Sequence, residues 1–148
     1  MDIAVKTFEE LNTTELYNIL QLRSEVFVVE QDCVYQDLDG KDQNALHIIG
    51  TKKSKVVAYT RIFKPGYYFK EASIGRVVVA KDERRYGYGK EIMEASIQVV
   101  KQRLGGTDIT ISAQTYLKTF YNNLGFNETG DGYLEDGIPH IAMHLKKI

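Results

Sequence analysis

Residues 77–89 read VVVAKDERRYGYG, a β-branched run, a charged stretch and then Arg84-Arg85-Tyr86-Gly87-Tyr88-Gly89 opening into a helical pattern. Branching at Cβ stiffens χ1 and suits a pleated surface, so Val77, Val78 and Val79 read as strand. The charged residues from Ala80 to Arg85 show no apolar periodicity and read as a solvated turn. Beyond them Met93, Ile97, Val100 and Leu104 recur at spacings that place them on one face of a helix. Gly87 and Gly89 fall on its first turn, where glycine lets backbone approach a ligand closely. The unpaired N–H groups there, at the positive end of the helix dipole, attract phosphate. Arg84, Arg85 and Lys90 add local charge. The same pattern also describes a turn that only lets a helix pack closely on its sheet.

Other residues with chemical potential lie on ordinary elements. Tyr121 shares a stripe with Leu117 and Leu124, which fits a core aromatic as well as a site residue. His140 alternates with Ala142 and His144 on one face of a final strand, looking into a cleft or into water, and its imidazole titrates where a general base should. His47 opens a strand and fits an edge position. Arg23 stands in the apolar stripe of Leu16, Leu20 and Phe27, as a snorkelling edge residue or as a charge aimed into a cleft; the edge reading is preferred. Arg76 likewise interrupts an apolar strand. The polar stretch from Glu30 to Asn44 reads as a long loop whose carboxylates can pair with these arginines, so Arg23, Arg76, Glu30 and Asp37 form a candidate substrate-pocket group. Glu135 and Asp136 are further candidate bases. Cys33 reads as a loop thiol. No Cys/His spacing suits a metal, no G-x-x-x-x-G-K-[ST] occurs, and the third glycine of a dinucleotide-binding G-x-G-x-x-G is missing.

The elements that must position these residues follow from pattern and punctuation. Ile3 to Lys6 reads as a strand, and Asn12 with Glu15 as the capping box of a first helix. Segments 47–51 and 56–63 form a hairpin around residues 52–55, and Pro65-Gly66 ends its second strand. Ala72 to Val79 follows as a third strand, with Ile74, Arg76 and Val78 on one face and Gly75, Val77 and Val79 on the other. Gly105-Gly106 stops the long helix, Ile109 to Ala113 is a strand, and a short helix carrying Phe120 and Tyr121 ends at Gly125. Asn127 to Tyr133 and Ile138 to Leu145 close the chain as a hairpin, and its final strand, if unpaired, offers a possible homodimer contact. The order is β-α-β-β-β-α-β-α-β-β, an α/β fold with a mixed sheet, expected as one domain over residues 1–148.

A formal net charge of −1 gives no global pull toward nucleic acid or anionic membrane, so phosphate affinity must be local. The single cysteine, the absence of a signal-like start and of any long apolar run lead us to expect a soluble cytoplasmic protein without membrane or nucleic-acid partners.

The order of elements, the Arg84-x-x-Gly87-x-Gly89 turn and the helix ending Phe120-Tyr121-Asn122-Asn123-Leu124-Gly125-Phe126 resemble the GNAT acyl-CoA N-acyltransferases over nearly the whole chain. Within them, Leu22 to Gln31, Tyr35-Gln36-Asp37, Asp39-Gly40, Ile74 to Val77, Ala113-Gln114 and Glu135 to Ile141 are similar to the ElaA-like branch. The resemblance implies that the strands Val77–Val79 and Ile109–Ala113 splay to expose backbone to the arm of acetyl-CoA. It implies that backbone N–H groups of Arg84, Arg85, Tyr86, Gly87, Tyr88 and Gly89 hold the pyrophosphate. Gln114 stands where many members carry an Asn that touches the cofactor arm, and Tyr121 matches a tyrosine that protonates or hydrogen-bonds the departing sulfur. On this reading the chain is an N-acetyltransferase acting on a small-molecule or peptide amine by direct attack in a ternary complex, with Val78 N–H as the expected oxyanion donor. The alternative is a non-catalytic acyl-CoA binding or sensing module.

Overall fold

In a computed structural model describing residues 1–147, the elements are β1 (Asp2–Thr7), α1 (Thr13–Arg23), β2 (Leu46–Lys52), β3 (Lys55–Phe63), β4 (Ala72–Val79), α2 (Tyr88–Arg103), β5 (Ile109–Gln114), α3 (Lys118–Asn122), β6 (Asn127–Glu135) and β7 (Ile138–Leu145). Their order is the one read from the sequence. The strands form one sheet in the order β1-β2-β3-β4-β5-β7-β6, mixed because β4 and β5 run parallel while all other neighbours are antiparallel.

Alternation along the strands supplies two apolar layers. Ile48 and Ala58 face the layer built on α2, whereas their chain neighbours Ile49 and Tyr59 face the layer built on α1. Helix α2 buries Ile92, Met93, Ile97, Val99 and Val100 against the sheet, each contributing roughly 1.5–3 kcal/mol. Its buried Ser96 is satisfied by Thr60 Oγ1 at 2.5 Å and the Ile92 carbonyl at 2.7 Å.

The first helix has the expected capping box, with Asn12 Oδ1 accepting from Glu15 N at 2.7 Å and Glu15 Oε1 accepting from Asn12 N at 3.0 Å. Its buried face is not the expected one. Ile19, Leu22 and Arg23 are buried while Leu16 and Leu20 are half-covered, and Arg23 is 0% exposed rather than an edge residue. Buried carboxylates from the following loop receive its charge. The helix then continues as a π-helix over Ser24–Glu30, with Gln31 N–H reaching back five residues to the Val26 carbonyl at 3.1 Å. The polar loop therefore starts at Gln31, one residue later than its composition suggests.

His47 is likewise buried, not at an edge, its ring held between the Tyr59 hydroxyl at 2.5 Å and the Asp42 carbonyl at 2.9 Å. Residues 81–86 form the expected solvated turn, wound as a 3-10 helix with no buried residue.

Strand β4 departs most from simple alternation. Arg76 has φ +49°, and the register passes from Arg61↔Gly75 to Tyr59↔Val78, which inserts one extra residue on β4. The bulge swaps the faces: Ile74, Val77 and Val79 share the α2 layer while Val78 joins the α1 layer. The grouping of Ile74 with Val78 is thereby corrected. Strands β4 and β5 pair only at Ala72↔Ile109 and Ser73↔Thr110, and beyond that they part into a V.

Candidate active site

The V opens onto a cleft of about 130 Å³ whose wall takes Gly75, Arg76 and Val77 from β4, Ile111, Ser112 and Gln114 from β5, and Leu117 and Tyr121 from the α3 region. Strand backbone groups alternate between the two neighbouring strands. The Ala80 N–H points to β3, donating to the Val57 carbonyl at 2.8 Å. By alternation the Val78 N–H also points to β3, while those of Val77 and Val79 point into the V. Val78, with its side chain in the α1 layer, is therefore not placed to donate into the cleft; Val77 is.

At one end of the V lies the glycine turn. Gly87, with φ +74°, is the N-cap of α2, and no side chain caps its first amides. A Cβ on Gly87 meets nothing within 4 Å, so its demand is conformational. A Cβ on Gly89 makes an ordinary 3.5 Å contact with Phe120, so packing alone does not require glycine there. The turn's cations are partly engaged. Arg84 forks onto Glu30 at 2.5 and 2.8 Å and lowers that carboxyl's pKa. Arg85 lies on Tyr86, and the exposed Lys90 is 3.9 Å from Glu94. Glu30 thus belongs to the turn and not to the cleft wall, contrary to its place in the substrate-pocket group.

Gln114 faces Gln31 across the V, the two amides exchanging hydrogen bonds at 3.4 Å. Tyr121 belongs to the core and to the cleft wall at once: it is 6% exposed, its hydroxyl has no protein hydrogen-bond partner among the described residues, and burial pushes its pKa up. His140 also lines the cleft, opposite Gln114 in the β5/β7 register. Its Nδ1 is 2.7 Å from the Ile138 carbonyl, which only accepts, so Nδ1 carries the proton and Nε2 holds the lone pair of the neutral ring. Nε2 lies 3.3 Å from Glu135.

The far wall rests on a closed ring of six alternating charges. Arg23 binds Asp37 at 2.9 Å and Asp42 at 2.8 Å; Arg61 binds Asp42 at 3.0 Å and forks onto Asp39 at 2.9 and 2.8 Å. Arg76 completes it, with Nε 2.8 Å from Asp37 and Nη2 3.6 Å from Asp39. Burial pushes the Asp39 carboxyl up, but Arg61 outweighs it and holds it down at about 2. Only Arg61 and Arg76 of these six line the cleft. Arg23 and Asp37 stand behind it, which corrects their assignment to the pocket itself: they brace the wall.

Sequence reasoning missed Arg61, Asp39, Asp42, Tyr35 and Gln31. The signal for Arg61 was available, since it is the one charge inside the otherwise apolar run from Val56 to Phe63. The aspartates gave none, because polar loop composition does not distinguish buried from solvated carboxylates.

The family described as "Acetyltransferase (GNAT) domain" matches residues 9–147. The chain is 40% identical over 136 residues to protein ElaA of Escherichia coli, covering 90% of this chain and 89% of that one. A solved acyl-CoA N-acyltransferase from Pseudomonas aeruginosa superposes with TM-score 0.92 at 38% identity, covering 98% and 99% of the two chains. The crystal structure of Escherichia coli ElaA does so with TM-score 0.91 at 37% identity and the same coverage.

Proposed function

From the premise that the chain belongs to the GNAT acetyltransferase family and is an acyltransferase, we propose that it moves the acetyl group of acetyl-CoA to a primary amine by direct attack in a ternary complex. The observation that carries this reading is the parting of β4 and β5 after two paired residues, with Tyr121 and His140 in the wall of the cleft so formed.

The residues fit the co-substrate. Unpaired edges of β4 and β5 offer amide partners to the pantetheine arm, and the open first turn of α2 at Gly87 offers N–H groups to the pyrophosphate. The amine arrives as an ammonium and must lose a proton before its nitrogen can attack. His140 Nε2, with its lone pair in the cleft, accepts that proton, and Glu135 at 3.3 Å stabilises the resulting imidazolium. As the C–N bond forms, negative charge grows on the thioester oxygen, where the Val77 N–H is the donor best directed. The C–S bond then breaks as the nitrogen gives up its second proton to the departing sulfur, so that coenzyme A leaves as the thiol, and the Tyr121 hydroxyl hydrogen-bonds that sulfur. Because burial raises its pKa, Tyr121 serves as a donor that keeps its proton more readily than as an acid that gives it away.

The test is incubation with acetyl-CoA and a panel of amines while free thiol is measured. Thiol release that depends on an amine, and falls at least about tenfold in His140→Gln, supports the reading. Tight acetyl-CoA binding without thiol release on any acceptor overturns it.

A further inference from the structure

Of the three arginines in the charge ring, Arg76 alone is not buried. Arg23 is fully buried and commits Nε, Nη1 and Nη2 to Asp37 and Asp42. Arg61, 2% exposed, commits both terminal nitrogens to Asp39 and Asp42, and its Nε is sealed from solvent. Arg76 differs. Its side chain is 19% exposed, it lines the cleft, and its guanidinium makes a single hydrogen bond, from Nη2 to the Asp37 carbonyl at 2.9 Å, while Nε lies 2.8 Å from the Asp37 carboxylate without hydrogen-bond alignment. Its Nη1 makes no protein hydrogen bond among the described residues.

Arg76 is also the least compensated of the three cations. Asp37 is shared with Arg23, and Asp39 is spent on Arg61 while standing 3.6 Å from Arg76. Its backbone points the same way. A non-glycine residue at φ +49° is strained, and glycine is the residue that would relieve the strain. An arginine kept there is kept for its side chain. The same cleft is also lined by acidic groups: Glu135, the last residue of β6, and Asp136 of the following turn, with Glu135 3.3 Å from His140 Nε2.

We infer that Arg76 anchors a carboxylate on the acceptor, so that the substrate class is a small amino acid-like compound whose amine lies toward His140 and Glu135 and whose carboxylate lies on Arg76 Nη1. This rests on the acyltransferase reading above. A guanidinium edge and a carboxylate match in plane and charge, and such bonds are the strong ones in a confined site.

The experiment compares small amino acids with their carboxamides and decarboxylated amines, with acetyl-CoA, in wild type, Arg76→Gly and Arg76→Lys. Thiol release gives kcat/KM, and the melting temperature in the presence of coenzyme A reports binding without turnover. Wild type prefers the carboxylate-bearing member at least about tenfold and is stabilised by it alone. Arg76→Gly, which strips buried Asp37 of one partner, melts below wild type by less than Arg23→Met and loses the preference, and Arg76→Lys recovers it in part. Retention of the preference in Arg76→Gly overturns the inference, as does equal turnover or equal stabilisation by acid and carboxamide in wild type. If no acceptor releases thiol, the acyltransfer reading fails by itself and the melting shifts decide the anchor. Absence of any shift then counts against the anchor too.

Discussion

Gln31 and Gln114 join the two sides of the cleft amide to amide, each donating to the other at 3.4 Å. Gln31 follows the π-helix after α1 and Gln114 ends β5, so the contact spans elements 83 residues apart in sequence. Glu30, its chain neighbour, reaches the other arm of the V through Arg84. Two consecutive residues thus strap both sides of the cleft.

The strap's amides are the kind of group a pantetheine arm offers, and bonds of 3.4 Å are weak enough to exchange. Gln114→Ala is expected to weaken acetyl-CoA binding about five- to tenfold, the worth of one hydrogen bond, with a smaller change in kcat. Calorimetric titration checks it.

The two glycines of the turn should separate. Gly87→Ala forces a side chain into φ +74° and is expected to cost about 1 kcal/mol of stability. Gly89→Ala is expected to leave the melting temperature nearly unchanged, because its Cβ makes only an ordinary contact with Phe120, while weakening coenzyme A binding at least about tenfold. Both exceed the effect expected of Arg85→Ala, whose guanidinium lies on Tyr86. Thermal melts and titrations on the three variants distinguish these outcomes.

Tyr121→Phe keeps the ring that packs against Phe120 and Phe126 and removes a hydroxyl with no protein partner. Stability should be unchanged or slightly higher, and kcat should fall about ten- to a hundredfold with little change in KM. A proportional loss of stability would mark the hydroxyl as structural.

Arg23→Met should be far more damaging than a surface substitution. It leaves Asp37 and Asp42 buried with one partner fewer each, and breaking a buried pair in this way costs roughly 3–5 kcal/mol. Denaturant titration measures it.

The buried His47 sets an acid limit. Burial lowers its pKa below the ordinary histidine value, so the unfolded chain takes up the proton first as pH falls. The stabilisation is complete above about pH 6.5, the ordinary value, and is lost on descending through the folded pKa. Asp39, lowered to about 2, adds a second loss between about pH 4 and 2. His47→Gln should flatten the melting temperature from pH 6.5 downward and leave the step near pH 4 to 2 in place.

Much of the fold was readable because its elements announce themselves locally. Asn12 and Glu15 form a capping box within four residues, and Met93, Ile97 and Val100 carry the helical period of α2 without help from elsewhere. Arg23 was misread for the opposite reason. A charge in an apolar stripe has the same local signature whether it snorkels or is buried, and the carboxylates that decide between the two lie 14 and 19 residues away. The faces of β4 were misassigned because one residue in the left-handed region inverts every later side chain, and nothing in the type of Arg76 signals that backbone.

The sequence alone determined the order of the strands and helices, the glycine turn ahead of α2, and, through Tyr121, Gln114 and His140, the family resemblance and the side chains to suspect, since these depend on residue type and short spacing. Tertiary structure decided which of those side chains share a cleft: the parting of β4 from β5, the inward turn of Arg23 and the exposure of Arg76, the one arginine of a neutral charge ring that is not buried. Those outcomes depend on the pairing of distant groups in a low-dielectric interior, where the favourable arrangement is a property of all six charges together and of no single stretch of chain.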